Sequence, residues 1–127
     1  MMQDPISVSS RRQEYACPCC NRVKMDNAFA MCLLNFEMLL FQETGKSPVY
    51  TSVYRCEKFN NKVSGTGSTG RHPKGQAADI AFTDKLHLGI IVKCAVKSGI
   101  YSITPDFKKK FVHIQAGHPW LGCYQAK

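Results

Sequence analysis

The residues of this chain with the clearest chemical potential are two histidines and an aspartate. His72 and Asp79 lie seven positions apart in "GRHPKGQAAD", and His113 lies in the apolar stretch "FVHIQAG". Two imidazoles and one carboxylate fill three positions of a tetrahedral Zn²⁺ and leave the fourth open, which is the composition of a catalytic zinc site. A single histidine in an apolar strand is also common as a hydrogen-bonded core residue, so spacing alone leaves both interpretations open.

Two helices are predicted from the hydrophobic pattern. Apolar residues at helical spacing in "MDNAFAMCLLNFEMLLFQETG" predict the first, with Asp26 as N-cap and Gly45 as C-terminal stop. The segment "DKLHLGIIVKCAVKSG" predicts the second, capped by Thr83 or Asp84 and stopped by Gly99. The residues expected on the buried faces are Phe29, Cys32, Leu33, Phe36, Leu39 and Leu40 in the first helix, and Leu86, Ile90, Ile91 and Cys94 in the second.

Four apolar segments predict the strands that position the three candidate ligands: "SPVYTSVYRC", "QAADIAF", "GIYSI" and "FVHIQAG". A Gly/Ser loop ends at His72, and a polar turn at Pro105-Asp106 precedes the last strand. The predicted fold is α+β, with a small, mostly antiparallel sheet and two main helices. We expect residues 14–127 to form a single domain and residues 1–13 to be an N-terminal extension.

Several segments together resemble one family. "HPKGQAAD" is similar to the Ser-x-His-x-x-Gly-x-Ala-x-Asp signature of the zinc-dependent D-alanyl-D-alanine carboxypeptidases, a family that includes murein peptidases and phage endolysins. "EYACPCCNRVKMD", "TSVYRCEKFNNKVSG" and "GIYSI…FVHIQAGHPW" resemble the opening, middle and ending of its phage branch, in the same order along roughly residues 14 to 120. The resemblance implies a hedgehog/DD-peptidase-like fold with zinc in a cleft on the sheet.

The same resemblance implies a set of site residues. His72, Asp79 and His113 match the ligands of one Zn²⁺, and Arg55 in "VYRC" matches an arginine that helps to bind substrate and to stabilise charge on the carbonyl oxygen. Gly75 would let the chain turn between the first two ligands. Ala77, on the same face of a strand as Asp79, would leave room for metal and substrate.

The sequence departs from the family pattern where a general base is expected. Relatives carry a carboxylate three residues before the last ligand or two residues after it, and these positions are Lys110 and Gln115. A zinc hydrolase needs a group that takes a proton from the attacking water. We expect Asp106, in a turn seven residues before His113, to do this. Glu57 and His118 are the alternatives, and Gly70 replaces the signature serine, with Ser68 and Thr69 close by.

The function that the resemblance implies is hydrolysis of an amide in the peptide stem or cross-link of bacterial peptidoglycan. We expect a phage lysis enzyme, and the alternative is a virion-associated or host-encoded murein peptidase. The activity would be of the D,D-carboxypeptidase or the endopeptidase type, and the sequence leaves the bond open. The alternative is a non-catalytic zinc-binding module that recognises peptidoglycan or a protein partner, because both expected carboxylate positions are changed.

Composition indicates which partners to expect. The 17 Lys and Arg residues against 9 Asp and Glu give a net charge of +8, which attracts the protein to polyanions such as an anionic cell wall. The basic residues are scattered except for Lys108-Lys109-Lys110, and no aromatic residues alternate with them, so we expect no nucleic-acid partner. No apolar stretch approaches the roughly 20 residues that span a bilayer. We expect a monomer that is made in the host cytoplasm without a signal peptide and acts on the wall after release.

The seven cysteines are an odd number, and we expect mostly reduced thiols. Cys32 and Cys94 lie on apolar helix faces and are expected to be small core residues. A structural zinc site near the N-terminus is left open, because no second closely spaced cysteine pair accompanies the first. Its candidate ligands are Cys17, Cys19 and Cys20, with Cys56 or Cys123.

Overall fold

One antiparallel sheet packed against two long helices forms the body of the protein. The computed structural model describes residues 13–63 and 70–116. A 3₁₀ turn (Gln13–Tyr15) precedes the helices α1 (Asn27–Thr44), α2 (Glu57–Val63) and α3 (Lys85–Lys97), and the strands are β1 (Tyr50–Ser52), β2 (Ala77–Ala81), β3 (Ser102–Asp106) and β4 (Phe111–Gln115). The α+β fold predicted from the sequence is confirmed, with α2 as an additional short helix.

Capping residues define both long helices. The Asp26 side chain accepts a hydrogen bond from the Phe29 N–H at the start of α1, and Gly45 ends the helix at φ 76°. Asp84 caps α3 by accepting from the His87 N–H. Within the two described ranges, no helix is both long and apolar enough to cross a membrane.

Of the predicted core positions in the helices, Phe29, Leu33, Phe36, Leu40, Ile91 and Cys94 are buried, whereas Cys32, Leu39 and Ile90 are partly buried and pack against the core. Leu86 was expected in the core, and this is wrong: its side chain is 76% exposed. It lies in the first turn of α3, and the first buried residue of this helix is Leu88. The buried residues are Phe29, Ala30, Leu33, Phe36 and Leu40 of α1 and Leu88, Ile91, Cys94 and Ala95 of α3.

Sheet register separates a core face from a site face. The strand order is β1-β2-β4-β3, and each neighbouring pair is antiparallel. Asp79 of β2 lies opposite His113 of β4, and directly opposed residues project from the same face of the sheet. The neighbouring pair, Ile80 and Val112, projects from the other face into the hydrophobic core. The register therefore places the polar pair on the side of the sheet away from the core.

Two strand boundaries differ from the prediction. β1 contains only Tyr50–Ser52, because residues 53–56 leave the sheet and lead into α2. β3 continues through Pro105 to Asp106, where a turn was expected, and the turn lies at residues 107–110 instead. A proline lacks the N–H that a central strand needs, but β3 is an edge strand of this sheet, where one missing donor is tolerated.

Candidate metal centre

Three side chains from two strands and one turn converge on the site face. His72 lies in the turn before β2, Asp79 lies in β2 and His113 lies in β4. One ligand atom from each lies within 4.8 Å of the other two. His113 Nδ1 lies 2.8 Å from Asp79 Oδ1, and His72 Nε2 lies 3.5 Å from Asp79 Oδ2. The structure thus brings together the three ligands that the sequence suggested.

A second hydrogen bond orients each imidazole ring. His72 Nδ1 lies 2.6 Å from the carbonyl oxygen of Val53, which can only accept, so the Nδ1–H donates and Nε2 is left towards Asp79. His113 Nε2 lies 2.7 Å from Gln115 Oε1, so its Nε2–H donates to the amide oxygen and leaves Nδ1 towards Asp79. A histidine that binds a metal usually donates its other N–H in this way.

The donor set and its spacing fit one zinc ion. Ligand atoms about 2.0 to 2.2 Å from a tetrahedral Zn²⁺ lie about 3.4 Å from one another. The two contacts of Asp79 with the histidines, at 2.8 and 3.5 Å, bracket this value. Two neutral nitrogens and one carboxylate oxygen are also the donors of a catalytic rather than a structural site, since the fourth position stays open.

The electrostatics of the cluster favour an ionised Asp79. His72 and Asp79 are 5% and 4% exposed. Burial alone would raise the pKa of Asp79, but hydrogen bonds and positive charge from His113 and His72, which without metal can carry a proton on the nitrogen facing Asp79, outweigh burial and hold that pKa well below its usual value. Burial lowers the pKa of His113, while its hydrogen bonds to Asp79 and Gln115 reverse the shift and raise it. The site is therefore preorganised around a negative carboxylate.

Arg55 is fixed beside this carboxylate by three hydrogen bonds. Its terminal NH2 group lies 3.1 Å from Asp79 Oδ2, its Nε donates to Ser52 Oγ at 2.9 Å, and its other terminal nitrogen donates to Asn60 Oδ1 at 3.2 Å. Burial lowers the pKa of Arg55, the Asp79 carboxylate opposes the shift, and the guanidinium stays charged. A fixed positive charge thus lies next to the candidate metal ligands.

Sequence reasoning missed the residues that support these groups. Ser52 and Asn60 hold Arg55, and Asn60 is 1% exposed although it lies on a short polar helix. The Val53 carbonyl holds His72. Of these supporting residues, only Gln115 could have been predicted from the sequence. It lies two residues from His113 on a strand, so both side chains project from the same face.

The cluster forms part of the wall of a cavity of about 1110 Å³. Its walls also include the β3–β4 turn, with Asp106 and the three lysines at residues 108–110. This volume slightly exceeds the range of about 300 to 1,000 Å³ that is usual for ligand pockets, and it is large enough for a short peptide. The metal candidates are consequently accessible to a substrate.

The positions of the expected general base have defined structural roles. Lys110 closes the β3–β4 turn with a φ of 58°, and Gln115 is bonded to His113. Asp106 Oδ1 accepts the backbone N–H groups of Lys108 and Lys109 at 3.0 and 2.9 Å. Asp106 lies opposite Phe111 in the sheet. Phe111 precedes His113 by two residues on β4, so Asp106 and His113 are offset by about 7 Å along the strand direction. Its catalytic role stays a prediction.

The other candidates are placed as follows. Glu57 begins α2, and its side chain is exposed. Ser68, Thr69 and His118 lie outside the described residues. The structure therefore adds no support for a role of these residues in proton transfer.

The turn between the first two ligands depends on a glycine. Gly75 has φ +69°, and a Cβ at this position would lie 2.3 Å from the Lys24 carbonyl oxygen. The Gly75 carbonyl accepts the N–H of Asp26 at 3.0 Å, which joins this turn to the start of α1. Ala77 is fully buried on β2, on the same face as Asp79. The turn expected at Gly75 is thus present, while the room for metal and substrate expected beside Ala77 stays a prediction.

Comparison with known families agrees with this geometry. The chain matches the family model of peptidase M15 over residues 16–115, a range that contains Arg55, His72, Asp79, Asp106 and His113. A search of curated proteins gave no significant match. Because the match covers most of the chain, the protein belongs to the peptidase M15 family. It is a zinc-dependent metallopeptidase, and the His72, Asp79 and His113 cluster is a candidate site for its zinc.

Proposed function

We propose that this protein hydrolyses an amide bond in the peptide stem or cross-link of bacterial peptidoglycan, as a D,D-carboxypeptidase or an endopeptidase, and that it acts as a phage lysis enzyme. The observation that carries the proposal is the group formed by His72, Asp79 and His113 in the wall of an open cavity, with Arg55 bonded to the same carboxylate. Membership of the M15 family supports the reaction class and a peptidoglycan-related substrate.

The residues divide the work of amide hydrolysis between them. His72, Asp79 and His113 would hold the ion, which when bound supplies a Lewis acid that activates water and polarises the scissile carbonyl. Arg55 presents a guanidinium to the negative charge that develops on the carbonyl oxygen. Asp106 is the proposed acceptor of the proton from the attacking water and its donor to the leaving amine.

The charge of the cavity supports an acidic peptide as substrate. Its described lining includes five basic residues, against two acidic ones, Asp79 and Asp106. The basic ones are Arg55, Arg71, Lys108, Lys109 and Lys110. Stem peptides carry free carboxylates, which such a surface attracts.

The proposed biological setting rests on charge and on the resemblance of the cysteine-rich segment at residues 14–26 to phage relatives. A net charge of +8 favours binding to an anionic wall. We propose a monomer that is made in the host cytoplasm and acts on the wall after release. The alternative setting is a virion-associated enzyme.

A non-catalytic module is the second candidate, and one observation favours it. Lys110 and Gln115 occupy the places where relatives carry a carboxylate, and Gln115 is engaged with His113. A protein of this kind would bind zinc and peptidoglycan and release no fragments.

One experiment separates the two candidates. Bound zinc is measured, and purified peptidoglycan is digested with the wild type, His113→Ala and the control His87→Ala. His87 lies on α3, accepts the backbone N–H of Thr83 and does not line the cavity. We expect fragments from the wild type and the control only, and their masses identify the bond. If the wild type binds zinc but releases no fragments, the enzyme is excluded and the non-catalytic module is supported. If the wild type binds no zinc, both candidates are contradicted.

A further inference from the structure

A second group of metal-capable side chains is separate from the His72, Asp79 and His113 cluster, and one of its members, Cys56, directly follows Arg55 in the sequence. The Sγ atoms of Cys17, Cys20 and Cys56 lie within 4.8 Å of one another, and all three are free thiols. Cys17 is fully buried, Cys56 is 9% exposed, and Cys20 is partly exposed. A disulfide joins only two cysteines, so a bridge within this group would leave the third thiol unused. A metal ion can bind all three.

The local backbone is shaped to bring the first two sulfurs together. The segment Cys17-Pro18-Cys19-Cys20 forms a turn in which the Asn21 N–H donates to the Cys17 carbonyl at 2.7 Å. Asn21 follows with φ 60°, the left-handed conformation that a short polar side chain tolerates. The Cys17 N–H then donates to the Arg22 carbonyl at 2.9 Å, which closes the loop. Two cysteines spaced as C-x-x-C on such a turn are typical of structural zinc sites.

The third sulfur and the surrounding charges complete the environment. The backbone N–H of Cys56 points at Cys17 Sγ, with a separation of 3.3 Å. The Arg22 side chain hydrogen-bonds to Cys20. Both donors offset negative charge on sulfur, which a set of three thiolates around one Zn²⁺ requires, because the sum of their charges is negative.

We infer that Cys17, Cys20 and Cys56 bind a second Zn²⁺, with a water molecule as the fourth ligand on the partly exposed side near Cys20, and that this ion has a structural role although one of its ligands is solvent. The ion would join the N-terminal segment to the segment that carries Arg55, the residue immediately before Cys56. The two segments already contact each other through the Tyr54 N–H and the Tyr15 carbonyl, at 3.1 Å. The second ion would thus fix the backbone of the segment that carries Arg55. Cys19 is exposed and outside the group, and Cys123 lies outside the described residues.

Metal counts on the full-length protein test this site. We expect two zinc ions per chain in the wild type, one in His72→Ala/His113→Ala and one in Cys17→Ser/Cys20→Ser. The matched control Cys19→Ser, which changes a neighbouring exposed thiol, should keep two. A complete loss of zinc from the double histidine variant would overturn the inference, as would a disulfide between any two of the three cysteines in protein purified under nitrogen.

A cobalt spectrum keeps the test decisive if the cysteine variant does not fold. Co²⁺ added to His72→Ala/His113→Ala should give a thiolate-to-metal charge-transfer band and the intense visible bands of a tetrahedral ion. An absence of the charge-transfer band would overturn the inference. Because the His72, Asp79 and His113 site contains no sulfur, its failure to bind metal or to hydrolyse peptidoglycan would leave this result unchanged.

Discussion

Gln115 lies two residues after His113 on β4, and its amide oxygen lies 2.7 Å from His113 Nε2. The residue that looked like a missing general base is therefore a partner of a candidate zinc ligand. By accepting the Nε2–H, Gln115 selects the tautomer whose Nδ1 faces Asp79. Its substitution for a carboxylate keeps the orienting hydrogen bond and removes a negative charge from the site.

Removal of this acceptor should weaken zinc binding. We expect Gln115→Leu to bind Zn²⁺ about 10- to 100-fold more weakly, because the His113 ring loses the hydrogen bond that fixes it. Gln115→Glu, which retains an acceptor, should stay near the wild type. Competition with a chelator measures the affinity, and Gln76→Leu, which alters a glutamine bonded to Arg71, is the control. Wild-type affinity in Gln115→Leu would show that the hydrogen bond does not orient the ligand.

Arg55 should be needed in its native form rather than only as a positive charge. Three acceptors on three different elements hold its guanidinium, and a lysine cannot contact all of them. We expect Arg55→Lys to lower kcat by about 10²- to 10³-fold, the usual loss for one donor to a developing oxyanion. Zinc content should not change. Arg71→Lys, at the cavity wall, is the control, and equal kcat in both variants would argue against the proposed role.

The sequence predicts correctly those features that depend on neighbouring residues in the chain. It does not predict contacts between residues that are distant in the sequence. The caps Asp26 and Asp84 follow from side chains that bond to their own helix. The pairing of Asp79 with His113 follows once two strands are known to be neighbours. By contrast, the support of Arg55 by Asn60 depends on how α2 folds back, and no periodicity in seven residues encodes that.

Asp106 has two candidate roles that a pair of variants distinguishes. Its side chain caps the β3–β4 turn through two backbone N–H groups, and it is also the proposed general base. Asp106→Asn keeps an oxygen that can accept both hydrogen bonds but cannot carry a proton between water and amine. We expect this variant to fold normally and lose about 10²-fold or more in kcat. Full activity in Asp106→Asn, with a defect only in Asp106→Ala, would assign the residue to the turn alone.

Gly75 should tolerate no side chain. Its left-handed conformation costs an L-residue about 1 to 2 kcal/mol, and the added Cβ would overlap the Lys24 backbone. We expect Gly75→Ala to lower the free energy of unfolding by more than this and to reduce zinc occupancy. Gly89→Ala is the control, since a Cβ there meets nothing within 4 Å and alanine favours the interior of α3 by about 0.5 to 1 kcal/mol. Similar urea midpoints for the two variants would contradict the packing described here.

Tyr50 should make the fold sensitive to alkaline pH. Its hydroxyl donates to Glu37, which also accepts the Tyr15 hydroxyl, and the Tyr15 and Tyr50 rings pack edge to face at 5.4 Å. Burial of the Tyr50 hydroxyl, with the nearby Tyr15 and Glu37 adding to the effect, raises its pKa well above 10. The unfolded chain loses this proton near pH 10 while the folded protein keeps it, so the folded state binds more protons above that pH.

The contribution of Tyr50 to stability is therefore present below pH 10 and is lost as the pH rises towards its folded-state pKa. The slope is at most about 1.4 kcal/mol per pH unit. We expect the free energy of unfolding of metal-free protein, measured in urea from pH 9 to 11, to fall less steeply in Tyr50→Phe than in the wild type. Tyr101→Phe, which alters a tyrosine that is 41% exposed, is the control and should follow the wild-type slope. Parallel curves for Tyr50→Phe and the wild type would mean that this hydroxyl titrates alike in both states.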